Sequence, residues 1–245
     1  MQLYFARALR LGGAVILFTV LAMSCSVNQT IVVKSDGSGT LTMRADVSKL
    51  LRDYIGSLSE VSGKPVPAAG SSLFDAAAIR KDFEARKGLT VKKAVTPTSS
   101  SFELELAYAS IRDIFASDAT LKSAGALVWS DDGGTKTLKL HLDRTNYTQL
   151  AALFPMLKDP AVAGMGPQVN DTITDAEYLD MIKFSLGDDG PGLLKKSFIT
   201  LTIDPEGEII SQTGGTVSGG SVVFRIPLLR LLVLDKPLDY SVSFR

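Results

Sequence analysis

Val27-Asn28-Gln29-Thr30-Ile31-Val32-Val33, followed by Ser35-Asp36-Gly37-Ser38-Gly39 and then Leu41-Thr42-Met43-Arg44-Ala45, is the stretch that decides the fold. Val27, Ile31 and Val33 stand at odd positions, and Leu41, Met43 and Ala45 resume the same period beyond the turn. Apolar side chains at every second position line one face of a strand. Asp beside Gly supplies the local hydrogen bonding and left-handed backbone of a tight turn. The stretch therefore predicts a hairpin with one apolar face.

The same signal recurs downstream. Leu89 and Val91, then Phe102, Leu104, Leu106 and Tyr108, predict two strands joined by the polar Thr96–Ser100 turn. Ala126 to Ser130 and Lys136 to Asp143 flank Asp131-Asp132-Gly133-Gly134, a second hairpin signal. Phe198 to Ile203 and Glu208 to Gln212 flank the Asp204–Gly207 turn, Val222, Phe224 and Ile226 alternate, and Tyr240, Val242 and Phe244 close the chain. Between these runs the spacing becomes helical. Leu50, Leu51, Tyr54, Ile55 and Leu58 follow a cap at Ser48, and a second helix opens at Ser71 or Ser72 and ends at Gly88. Further helices are predicted over Ser110 to Lys122 and Asn146 to Leu157, the latter interrupted by Pro155. Thr174-Asp175-Ala176-Glu177 has the form of a capping box, opening a helix that runs to Leu186 and is stopped by Gly187–Gly192.

Hairpins followed by helices, without regular strand-helix-strand crossovers, imply an α+β fold: a mostly antiparallel twisted sheet with helices packed on one face. Ile31, Val33, Leu104, Leu106, Leu140, Ile182, Leu201 and Phe224 are the expected core positions. Residues 25–245 read as a single ectodomain, with room for a sub-boundary in the Pro-, Gly- and Ala-rich stretch Lys158 to Asp171.

Working outward from the first hairpin, its first strand follows directly on Cys25, the only cysteine. Arg7 and Arg10, an apolar stretch from Leu11 to Val20, and Leu21-Ala22-Met23-Ser24-Cys25 have the form of a lipoprotein signal peptide spanning residues 1–24. Small residues before the cysteine let a peptidase approach the backbone, and the thiol is the atom to be acylated, as by palmitate. With Met23 inside it, the motif resembles the looser lipoboxes of spirochaetal lipoproteins. A transmembrane anchor or a buried free thiol is the alternative, although the run is short of the ~18–20 residues that a spanning helix needs. A lipid anchor implies an exported protein held on the cell membrane or the outer membrane. Because Ser26 rather than Asp follows Cys25, the enteric sorting rule would send it away from the inner membrane.

Composition narrows the partners. The 26 basic and 26 acidic residues are interspersed, and cleavage before Cys25 removes two arginines and no acid. The basic stripe that nucleic acid binding requires is missing, so no nucleic acid partner is expected. With one cysteine there is no disulfide framework, and packing alone must hold the domain.

The acylatable Cys25 followed at once by strand, Asp-Gly turn and strand, together with Ile199 to Ile203, the Gly207 turn, Gly214-Gly215 to Gly219-Gly220 and Val222 to Ile226, resembles the LppM-type group of bacterial lipoprotein ectodomains. That resemblance implies an envelope location and contact with envelope lipids or a host.

Catalytic templates fail one after another. His141 is the only histidine, so zinc sites built on two histidines are excluded, and its alternation with Leu138, Leu140 and Leu142 puts it on an outward strand face. Neither a Gly-x-Ser-x-Gly elbow nor a phosphate loop occurs. Asp36, Asp131-Asp132 and Asp188-Asp189 sit in turns without the spacing of a calcium loop. Glu103 with Glu105, and Glu206 with Glu208, have the spacing of ordinary strand neighbours. Neither a cofactor nor a metal is expected, and the expectation is a non-enzymatic binding or interaction module for a lipid, glycolipid or protein partner. The alternative is a structural or assembly lipoprotein that holds a partner at the membrane, with an envelope enzyme a distant third. Leu228 to Leu234 is the most apolar run after the signal, read either as a core element or as an apolar lip. An apolar ligand would sit where Met165 meets Leu228, Leu231 and Leu232.

Overall fold

The opening hairpin forms as its alternation predicts, and the rest of a sheet grows from it. In the computed structural model, which describes residues 26–61, 72–117, 125–151, 166–167 and 173–245, β1 (Ser26–Val33) pairs antiparallel with β2 (Gly39–Asp46), from Ser26 opposite Asp46 to Val33 opposite Gly39. β4 (Ser101–Tyr108) adds to β2, and β3 (Leu89–Val95) to β4. On the other side β7 (Phe198–Pro205) runs parallel to β1, then β10 (Ser221–Pro227) and the short β9 (Thr216–Ser218) complete seven strands in the order β3-β4-β2-β1-β7-β10-β9.

Register turns alternation into a continuous apolar face. Leu106, Leu41, Ile31, Ile203 and Val222 form one rank across five strands. Leu104, Met43, Gln29, Leu201 and Phe224 form the next. Gln29 is only 2% exposed, a polar side chain between Met43 and Leu201. Gly39 faces Tyr108, whose hydroxyl donates to the Val32 carbonyl at 2.6 Å. A Cβ on Gly39 would lie 1.9 Å from that carbonyl oxygen, so the close approach requires glycine.

The single predicted sheet is in fact two. β5 (Leu127–Asp132) and β6 (Thr135–Leu142) form the predicted hairpin, and β11 (Leu238–Phe244) and β8 (Ile209–Thr213) join it from the far end of the chain, in the order β5-β6-β11-β8. The two apolar faces share one core that contains Leu140 and Val242 as well as Ile31 and Ile203, and Phe224 of the large sheet meets Tyr240 of the small one edge-on at 5.6 Å. All eight expected core positions are buried.

Helices cover this apolar side. Among the described residues they are α1 (Lys49–Val61), α2 (Ala76–Glu84), α3 (Ile111–Ser117), α4 (Arg144–Ala151), α5 (Asp175–Leu186), α6 (Gly190–Lys195) and α7 (Leu228–Val233). α2 packs on β3, α7 on β10, and α5, α6 and α7 on one another. The predicted capping box of α5 is present in full, with Thr174 and Glu177 bonding reciprocally. Three local readings change. Asp75, not Ser71 or Ser72, caps α2 by accepting from the Ala78 amide. The Gly187–Gly192 stop holds α6, because Pro191 in a first turn removes only a donor that has no helical partner there. The Gly-rich segment holds β9, whose three residues are too few to show a period.

Candidate functional site

Period two that buries one face of the large sheet displays the other. Asn28, Thr30 and Val32 of β1 alternate with the buried set, and register places Thr30 between Thr42 and Thr202, and Asn28 between Arg44 and Thr200. The middle of this face is open: Asn28, Thr42, Arg44 and Arg225 are exposed. Four of its charges pair with one another. Arg44 reaches Asp46 at 2.9 Å and Glu103 at 2.8 Å, and Lys93 reaches Glu103 at 2.6 Å. The hydrogen bond from Lys93, with the nearby charges of Lys93 and Arg44, holds the Glu103 carboxyl below its ordinary value, while the bond to Asp46 holds the Arg44 guanidinium above its own. Arg225 stacks over the Phe198 ring, 4.0 Å from guanidinium carbon to centroid. The result is a surface rich in hydroxyls, amides and paired charges, suited to hydrogen bonding with a polar partner.

Neither suspected carboxylate pair has the arrangement for acid-base work. Glu103 is taken by two cations, and Glu206 accepts from the Ser35 amide at 2.9 Å and the Ser35 hydroxyl at 3.2 Å, tying the β1–β2 turn to the end of β7. His141 lies on the outward face of β6 as predicted, opposite Asp239. Its Nδ1 is 2.7 Å from Asp239 and its Nε2 3.6 Å from Asp143. A general base needs a ring nitrogen facing the hydroxyl it activates, and here both nitrogens face carboxylates. Among the described residues no group of three or more His, Cys, Asp or Glu could hold a metal ion.

The apolar run forms α7 inside the core. Leu228, Leu231 and Leu232 come together on it, each at most 6% exposed. Met165 and Cys25 lie outside the described residues, as does most of Lys158 to Asp171. From that stretch Gly166 lies against Tyr147, so closely that a Cβ would be 2.6 Å from its hydroxyl. Burial pushes the Tyr147 and Tyr178 phenols upward. Leu234 ends α7 in the left-handed region at φ 44°, and Arg144 donates to the carbonyls of Val233 at 3.3 Å and Leu234 at 3.0 Å.

Sequence reasoning missed Asp239, Arg144 and the Arg225–Phe198 stack. The first two act on partners 98 and 90 residues away, beyond any local period. Arg225 was legible as an outward residue of an alternating strand, but Phe198 became its partner only through the β7–β10 register.

No protein-family model and no curated protein matches the chain. Among solved structures, the folded domain of the LppM protein of Mycobacterium tuberculosis superposes with a TM-score of 0.42 at 12% identity, covering 91% of this chain and 90% of that one. Yeast LTA4 hydrolase in complex with bestatin superposes with a TM-score of 0.27 at 11% identity, over 90% of this chain and 28% of that one. Both likenesses are too distant to assign a family or an activity, and neither supports the spirochaete-like reading of the signal.

Proposed function

We propose that this chain is an envelope lipoprotein, anchored through acylated Cys25, whose exported domain is a non-enzymatic interaction module. The observation that carries the reading is the junction at Cys25. A signal ending on the sole cysteine is followed, at the very next residue, by the first strand of the folded domain. No described helix is long and apolar enough to cross a membrane, and in this reading attachment is through the lipid on Cys25. Cys25→Ser is expected to abolish incorporation of labelled palmitate and to leave an uncleaved precursor; labelling that survives the substitution overturns the reading.

Between the two kinds of partner, the open sheet face favours a protein or glycan surface held at the membrane, because it is exposed and polar while the candidate leucines of α7 are packed in the core. Uptake of an apolar ligand would require the stretch bearing Met165 to open a path to Leu228, Leu231 and Leu232. Native mass spectrometry of the detergent-released protein separates the two: a retained lipid other than the anchor supports ligand binding, and a retained protein supports the assembly reading.

A further inference from the structure

The anchoring residue and the sheet leave no slack between them. Ser26 is already in register on both sides, opposite Asp46 of β2 and Phe198 of β7. A neighbouring Cα is only ~3.8 Å away along the chain, so a lipid on Cys25 is joined almost directly to the end of a central strand. Resting on the lipoprotein reading, we infer that the Ser26 end of the large sheet docks flat on the bilayer and that its lysines engage acidic lipid headgroups.

Three features of this rim fit that occupant. Lys195 and Lys196 precede β7 immediately, both are exposed, and neither is in an ion pair among the described residues. Two acidic groups at this end are already engaged, Asp46 by Arg44 and Asp53 by Lys49. The adjoining β3–β4 turn, Thr96 to Ser100, is uncharged and rich in hydroxyls, so it neither repels an anionic surface nor needs an apolar one. The opposite end of the sheet carries the β1–β2 turn, roughly 23 Å away at ~3.3 Å per residue of β1. The strands then stand upright on the membrane, and the open polar face is presented sideways to partners in the same envelope space.

Cys25 is the only cysteine and is consumed by acylation in this reading, so an introduced cysteine carries a unique fluorophore. Full-length acylated protein labelled at Pro97→Cys, beside the rim, or at Lys34→Cys, on the far turn, is reconstituted in vesicles of phosphatidylcholine with or without phosphatidylglycerol, containing headgroup-quencher lipid. Strong quenching at 97 but not at 34, enhanced by phosphatidylglycerol, is expected. Lys195→Glu with Lys196→Glu should lower the ratio of docked to undocked protein in anionic vesicles by roughly fivefold or more per lysine. Lys34→Glu with Lys87→Glu, read at position 97, should not. Protein that floats with the vesicles but is quenched equally at both positions, or ignores the rim lysines, overturns the docking inference and leaves the anchor intact. Protein that does not float overturns the anchor, and the docking inference with it.

Discussion

The two sheets are made from the same alternation but from different parts of the chain. In the large sheet, β1 pairs with β2 and β3 with β4 across short turns, whereas the small sheet joins its β5–β6 hairpin to β8 (Ile209–Thr213) and β11 (Leu238–Phe244), from the far end of the chain. From β7 onward the strands are dealt to both: β7, β9 and β10 to the large sheet, β8 and β11 to the small one. This C-terminal fifth of the chain fastens the sheets around a common core. The consequence is mechanical: neither sheet can lose its packing without exposing the other's.

That coupling gives the largest expected effect. Leu104→Ala removes a side chain that is 2% exposed in the large sheet and should cost roughly 2–5 kcal/mol. Trp129, the sole tryptophan, lies in the small sheet with its ring 6.0 Å from Phe244. Its fluorescence should report the same lowered denaturant midpoint as far-UV circular dichroism. A midpoint at Trp129 that stays where it was would break the comparison, showing that the small sheet unfolds on its own.

The corner between the sheets comes next. Gly214 joins β8 to β9 at φ +77°, and a Cβ there would lie 2.7 Å from the Tyr240 ring and 2.9 Å from the Asp239 carbonyl. Gly214→Ala should cost about 1–3 kcal/mol through strain and overpacking. Gly56→Ala, in open space on α1 without positive φ, should not destabilise and serves as the control. Equal midpoints for the two variants would show that the corner is free to relax.

A smaller effect belongs to the helical cover. Thr174→Ala deletes the hydroxyl that accepts from the Glu177 amide and should lower stability by about 1 kcal/mol. Thr174→Ser should restore most of it, because the accepting oxygen returns. A serine variant as unstable as the alanine would remove capping as the cause.

The difference between the sheets also marks what could be read in advance. Alternation exposed the hairpins and put the seven expected core residues of the strands inside, because a strand's side-chain direction is a local property, and helical spacing did the same for Ile182 of α5. Sheet membership is not local. Nothing in Phe198–Pro205 announces a parallel neighbour, and nothing in Ile209–Thr213 announces that it leaves the sheet of its predecessor. Gln29 was illegible for another reason: its polarity opposes the inward phase that its register enforces. At the site, outward phase located His141 but not Asp239, and the helical run of leucines proved to be core without a period long enough to distinguish core from lip.

The least effect is expected on the open face, where the large sheet differs from its buried side in chemistry rather than in geometry. Glu103 is held below its ordinary pKa of 4.5, first by the Lys93 hydrogen bond and then by the charges of Lys93 and Arg44. A carboxyl depressed in the folded state binds fewer protons there than when unfolded, so its contribution is complete above the unfolded value. It is then lost as the pH falls through the lower folded value. Glu103→Gln should therefore be slightly less stable than the parent near neutral pH and indistinguishable from it in acid below the folded pKa. Added salt should shrink the neutral difference, since these groups are open to solvent and screening. A difference that persists unchanged into acid would mean that Glu103 acts through packing on the sheet rather than through its charge, and the open face would then resemble the buried one more than its polarity suggests.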